Sequence, residues 1–235
     1  MSAVVGNQTI KFKQEKPYVI LCEGVDELHF LVAYLDYLEK WEEKFQDCHF
    51  VVDLGGVEDV GRKLKTIKAI PNYEYVKGFL LVRDAEKDAD AATLSLLDHI
   101  RRTWGIELSK NGDIETTEEG VKIGFFLFPG MQNDGGFRNG TLEDLCWQIV
   151  RVSNENVSTE TLTDITERHL EHIVSLRGKM KKPHKNKLHM FLSSTDRFVD
   201  KKIGEAAKAD AFDFSNEKME RLKDLILQMQ DNKFV

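Results

Sequence analysis

Four short apolar runs, each separated from the next by a stretch of helical periodicity, constrain the fold of this chain more than any other feature. YVILC (18–22), CHFVVDLGG (48–56), GFLLVR (78–83) and VKIGFFLFPG (121–130) are nearly continuous in apolar residues. A strand covered on both faces reads this way, whereas a half-solvated strand alternates. Between them, residues 25–41 place Leu28, Leu31, Leu35 and Leu38 at helical spacing, the stripe of a helix with one buried face. VEDVGRKLKTIKAI reads as a helix stopped by Pro71, and AATLSLLDHIRRTWG as one closed by Gly105. The β-α-β-α-β-α-β order predicts an α/β fold, a mostly parallel sheet flanked by helices.

After the fourth run comes GMQNDGGFRNG, glycine-rich and too flexible to be core, then a helix at TLEDLCWQIV. Helices are expected at 159–176, 196–209 and 216–230, the last amphipathic through Met219, Leu222, Leu225, Ile226 and Met229. The expected organisation is an α/β domain over 1–150 and a helical C-terminal extension over 151–235 that caps the sheet. A chain of 235 residues suits one core with a small appended lobe. No apolar run reaches the roughly 20 residues of a membrane span, and the start lacks the apolar centre of a signal peptide. Cys22, Cys48 and Cys146 are few, odd in number and widely spaced. They read as reduced thiols of a cytoplasmic protein rather than a disulfide framework.

The acids gather where the strands end. In an open parallel sheet, ligands bind beyond the carboxyl ends of the strands. Glu23 follows the first strand, with Asp26 one turn on. Asp84 closes the third, with Glu86 and Asp88 at alternate positions that face one side if the chain stays extended. Glu143 and Asp144 open the helix after the glycine loop. Oxygen ligands with no histidine or cysteine among them suit Mg²⁺ or Mn²⁺. Each acid also has a plainer reading. Glu23 could complement a helix N-terminus, Asp88 or Asp90 could be an N-cap, and Glu143 and Asp144 could be first-turn acids after Thr141. His169 and His172, three apart on a helix, have no matching ligands near them and are expected on the surface.

A net charge of −7 excludes a protein coated in basic charge for passive nucleic-acid binding. A local basic path remains open. No acid lies between Glu171 and Asp196, and LRGKMKKPHKNKLHM carries Arg177, Lys179, Lys181, Lys182, Lys185 and Lys187. Such a run is either a solvated loop or a track for backbone phosphates.

ILCEGVDELHFL together with LLVRDAEKDAD resembles the Toprim domain of topoisomerases, bacterial primases and nucleases of the overcoming-lysogenisation-defect type. That family has Glu-Gly after its first strand and Asp-x-Asp after its third. PGMQNDGGFRNGTLEDL and the tail KIGEAAKADAFDFS look like the small stand-alone bacterial Toprim proteins related to those nucleases. The resemblance matches at Glu23, Gly24 and Asp26 and departs at Asp84-Ala85-Glu86, where glutamate replaces the second aspartate. It implies two Mg²⁺ or Mn²⁺ ions held by Glu23, Asp84, Glu86 and Glu143, with Asp26 and Asp88 nearby. It implies phosphodiester hydrolysis of nucleic acid, with Glu23, Asp84 and Glu86 catalytic; Lys179, Lys181, Lys182, Lys185 and Lys187 would then track the substrate backbone. None of the five tyrosines stands out as a strand-passage nucleophile, which favours hydrolysis. The alternative is a non-catalytic scaffold or effector subunit in phage defence. Its partner would be an ABC-type ATPase, since the chain has no Walker A loop of its own. No membrane partner is expected, and self-association is left open.

Overall fold

The structure, a computed structural model, describes residues 2–4, 10–133, 135–151 and 159–230. Six strands form one sheet: β1 (Ser2–Val4), β2 (Tyr18–Cys22), β3 (His49–Asp53), β4 (Gly78–Asp84), β5 (Glu115–Thr116) and β6 (Lys122–Phe128). Their order is β1-β3-β2-β4-β6-β5, and every neighbouring pair is parallel except β5 with β6. The fold is therefore α/β with a mostly parallel sheet, as the alternation of elements predicts. The edge strands β1 and β5, of three and two residues, are too short for the sequence pattern to announce them. β2, β3 and β4 are buried along their whole length, which is why they read as continuous apolar runs.

Eight α-helices accompany the strands among the described residues: α1 (Val25–Trp41), α2 (Val57–Thr66), α3 (Ala89–Trp104), α4 (Leu142–Gln148), α5 (Thr159–Arg177), α6 (Pro183–Ser193), α7 (Ile203–Lys208) and α8 (Glu220–Met229). Leu28, Leu31, Leu35 and Leu38 of α1 are all buried. α3 ends at Gly105 in the left-handed conformation, φ 74°. Phe79 of β4 meets Trp104 of α3 with ring centroids 5.3 Å apart. By strand alternation Arg83 points to that same side and Asp84 to the other. No helix among the described residues is long and apolar enough to cross a membrane.

The C-terminal helices pack on the sheet and on α1. α8 lies against β4 and β6, and α7 against α1. A Cβ at Gly204 of α7 would sit 2.0 Å from His29 Cβ, so only glycine permits this approach. Phe214 then packs among Phe30, Tyr34 and Tyr37, at 5.4, 5.2 and 5.6 Å between centroids. Aromatic pairs of this kind add roughly 0.5–1.5 kcal/mol each beyond their buried area.

Three expectations are corrected. The helix expected over 196–209 is only α7. Residues 194–200 form turns, where Ser194 Oγ and Thr195 Oγ1 donate to the Met190 and Leu192 carbonyls and compete with continued helix. Half of the lysine run is helix rather than loop: α6 starts with Pro183 in its first turn and buries Leu188, Phe191 and Leu192. The glycine-rich segment also contributes to the core, because Phe137 is buried against Phe125 and Phe126 at 5.6 and 5.8 Å.

His49 opens β3 wholly buried, stacked 5.4 Å from Phe45 and tilted against Tyr18 at 5.7 Å, with no hydrogen bond of good geometry at either ring nitrogen. Burial pushes its pKa down from 6.5 to about 4. The unfolded chain therefore takes up a proton first, and this stabilisation is present above pH 6.5 and lost as the pH falls towards 4. The loss should be on the order of 3 kcal/mol. Urea midpoints measured across that interval should show it, and His49→Phe, which keeps the ring packing, should remove that component.

Candidate active site

From β2 the chain passes to β3 on one side and then crosses to β4 on the other. The carboxyl ends of β2 and β4 therefore flank the switch point of the sheet, the place where open α/β folds bind ligands. Glu23 leaves β2 there and Asp84 closes β4 there. Glu23 Oε2 is buried without a hydrogen-bond partner, and so is Arg83 Nε, 3.7 Å away. That separation is an ion pair too long to be a hydrogen bond. Burial raises the pKa of Glu23, Arg83 opposes the rise, and Glu86 adds to it.

Asp84 Oδ1 accepts a hydrogen bond of 2.8 Å from the Leu142 N–H at the start of α4. Burial pushes its pKa up to about 9, with Glu27, Glu143 and Glu23 adding repulsion and the Leu142 N–H opposing. Glu27, on the first turn of α1, is raised to about 7 by burial, with Glu23, Asp26 and Glu143 adding. Its carboxylate folds back over Gly24, where a Cβ would come within 2.9 Å of Oε2. The glycine of the Glu-Gly pair thus makes room for a carboxylate. Glu143 is buried on α4 and joined at 2.7 Å by Lys185 Nζ from α6. Burial works against its charge, but Lys185 and the Thr141 hydroxyl hold its pKa below the ordinary value. The pKa of Lys185 is raised: burial lowers it, and the bond to Glu143 more than compensates.

The remaining sequence candidates stand around this centre. Asp26 is half-buried beside Glu27. Glu86 is exposed in the left-handed region, φ 57°, with its backbone paired to Gly140 at 2.8 and 2.7 Å. The extended alternation that would aim Asp84, Glu86 and Asp88 at one ion therefore stops at Glu86. Asp88 accepts from Ala91 N at 2.9 Å and caps α3. Asp144 likewise turns back, accepting from Thr141 N at 2.9 Å. Of the lysine run, Lys179, Lys181 and Lys182 are exposed, whereas Lys187 pairs with Glu167 at 2.8 Å and lies 4.2 Å over the Trp147 ring. His169 and His172 are exposed.

Sequence reading missed Glu27 as a member of the cluster, Arg83 as its counter-charge and Lys185 as the partner of Glu143. Two of these left a signal: Glu27 stands one helical turn after Glu23, and Arg83 directly precedes Asp84. Lys185 left none, because 42 positions of chain separate it from Glu143.

Among the described residues no three Asp, Glu, His or Cys side chains sit close enough together to share one metal ion. The donor set nevertheless fits a hard divalent cation. Glu23 offers a buried oxygen that accepts no hydrogen bond, and Glu27 and Asp84 are pushed towards protonation by burial and mutual repulsion that a cation would relieve.

The family described as "Protein of unknown function (DUF3226)" matches residues 17–230. The chain belongs to that family. The DUF3226 match runs from just before β2 through α8, so the carboxylates, Arg83 and Lys185 all lie inside it. No curated protein and no solved structure matches the chain.

The site makes a direct test. Mn²⁺ should raise the melting temperature, because a ligand that binds only the folded state stabilises it. The shift should grow with pH through the range where Glu27 titrates, since the ion competes with protons. Asp84→Asn should abolish most of the shift while leaving the metal-free protein as stable or slightly more so. Differential scanning fluorimetry with and without Mn²⁺ reads both.

Proposed function

We propose that this protein is a Toprim-type, metal-dependent phosphodiester hydrolase acting on nucleic acid, working in the cytoplasm. The observation that carries the reading is the gathering of Glu23, Glu27, Asp84 and Glu143 at the switch point of the sheet, with one buried Glu23 oxygen that accepts no hydrogen bond. Glu23, Asp84 and Glu143 are also the positions to which the Toprim resemblance assigns metal ligands, and Glu27 joins them here. Mg²⁺ or Mn²⁺ ions held by these four, with Asp26, Glu86 and Asp88 at the rim, would stabilise charge on the attacking and leaving oxygens.

The chain's own groups then divide the remaining work. Glu23, with its pKa raised and Oε2 accepting no hydrogen bond, suits a proton acceptor for the attacking water. Arg83, 3.7 Å away, opposes the protonation of that carboxylate that burial favours. Lys185, partly exposed above Glu143, places one ammonium where a phosphate oxygen would lie against the carboxylates. Glu86 holds a conformation that costs a non-glycine residue roughly 1–2 kcal/mol. Strain of that size persists at sites whose surroundings fix it, here the paired bonds to Gly140.

Glu23→Gln, which keeps the size and loses the charge, should lower turnover by orders of magnitude. Glu86→Ala should fall between that variant and wild type, and Glu86→Asp should keep part of the activity. The assay is Mg²⁺- or Mn²⁺-dependent cleavage of labelled DNA and RNA, with an ABC-type ATPase partner added if the chain alone is silent. Wild-type rates in Glu23→Gln would sink the mechanism. Silence of the wild type under every metal and partner would replace it with the scaffold reading.

A further inference from the structure

The reacting centre accounts for one phosphate, but a nucleic-acid strand continues past it, and two grooves adjoin the site. One lies between α5 and α6, about 680 Å³ in volume, and includes Asp144, Glu167, Glu171 and Lys187. Its lysine is already neutralised by Glu167, which leaves the groove acidic. The other, about 780 Å³, lies between the turn that leads from β4 into α3 and the glycine-rich loop. Both volumes fall in the roughly 300–1,000 Å³ range of ligand clefts.

Glu86 and Gly140 are paired through their backbones, and the second groove begins with the residues next to that pair, Lys87 and Asn139. Arg138, Gln132 and Asn133 complete its polar lining. Neither Lys87 nor Arg138 has an ion-pair partner among the described residues. Two acids share its wall, Asp88 capping α3 through the Ala91 N–H and Asp90 on the first turn of α3, and the Gln132 amide is donated to the Phe137 carbonyl. What the groove offers a phosphodiester backbone is therefore two cations without ion-pair partners, Lys87 and Arg138, starting beside Glu86.

We propose that the substrate strand runs through the groove between the β4–α3 turn and the glycine-rich loop, with Lys87 and Arg138 on phosphates next to the scissile one, and not along the exposed lysines Lys179, Lys181 and Lys182. The inference rests on the nuclease reading for the identity of the ligand and on the groove alone for the path.

The test measures binding of labelled single-stranded DNA and RNA by anisotropy across a salt series, in Ca²⁺ to hold turnover down, alongside a separate Mn²⁺ cleavage assay. Lys87→Gln with Arg138→Gln should weaken affinity about tenfold. It should also flatten the slope of log K against log salt by about 1.4, at ~0.7 per phosphate contact on single strands. Melting temperature should stay unchanged, since neither side chain is buried. Lys179→Gln, Lys181→Gln and Lys182→Gln combined should change affinity less than twofold. Full affinity and salt slope in the groove variant, or their loss in the lysine-run variant, would overturn the path while leaving cleavage, and so the nuclease reading, intact. Binding that follows the groove variant in a wild type that never cleaves would uphold the path and remove the reading. A wild type that binds neither strand would overturn both.

Discussion

Like charges cannot be packed at the mouth of a buried sheet unless something offsets them, and this electrostatic constraint shapes the whole carboxyl edge of the structure. Glu23, Glu27, Asp84 and Glu143 each lose solvation there, and three of the four are pushed towards protonation as a result. The fourth, Glu143, stays charged because Lys185 reaches it from α6. Arg83 does the weaker service for Glu23 from the opposite side of β4. At low effective dielectric each of these interactions is several times stronger than in water. Burial thus makes the cluster costly when metal-free, a cost that the cation proposed above would relieve.

That arrangement explains why the C-terminal helices cannot be an indifferent lid. Lys185 is held on α6, α6 packs through Phe191 on Trp147 of α4, and α4 carries Glu143 and fixes Asp84 through Leu142 N. On the other flank, Gly204 lets α7 seat directly on α1, and Phe214 locks into the aromatic face of the same helix. α1 in turn carries Asp26 and Glu27. Two separate contacts of the C-terminal segment therefore each end on a helix that places a carboxylate.

What the sequence made legible follows from the range of the forces involved. β2, β3, β4 and β6 were readable because burial on both faces leaves a local, continuous apolar signature, and α1 because its stripe is periodic. The positions of Glu23 and Asp84 were readable because the strand ends were. Asp88 was legible only as a choice between ligand and cap, and the Ala91 bond decides its role in this structure as a cap. The pairing of Lys185 with Glu143 was not legible, since it depends on where α6 lands. Phe137 was hidden because composition marks a glycine-rich segment as mobile and cannot show that one aromatic inside it is anchored. Glu86 lay between these cases: the departure from Asp-x-Asp was visible, but its left-handed backbone was not.

That backbone conformation gives the departure a physical reading. With Glu86 turned out of the strand register, its Cα no longer faces the same way as Asp84, so a side chain reaching back towards Glu23 must be longer than one that continues straight on. Glutamate supplies one more methylene than aspartate. The carboxylate still reaches far enough to raise the pKa of Glu23, as its contribution there records. The neighbours of this Glu86–Gly140 backbone pair, Lys87 and Asn139, line the groove. The longer acid and the placing of Lys87 at the groove both follow the one turn in the chain after Ala85.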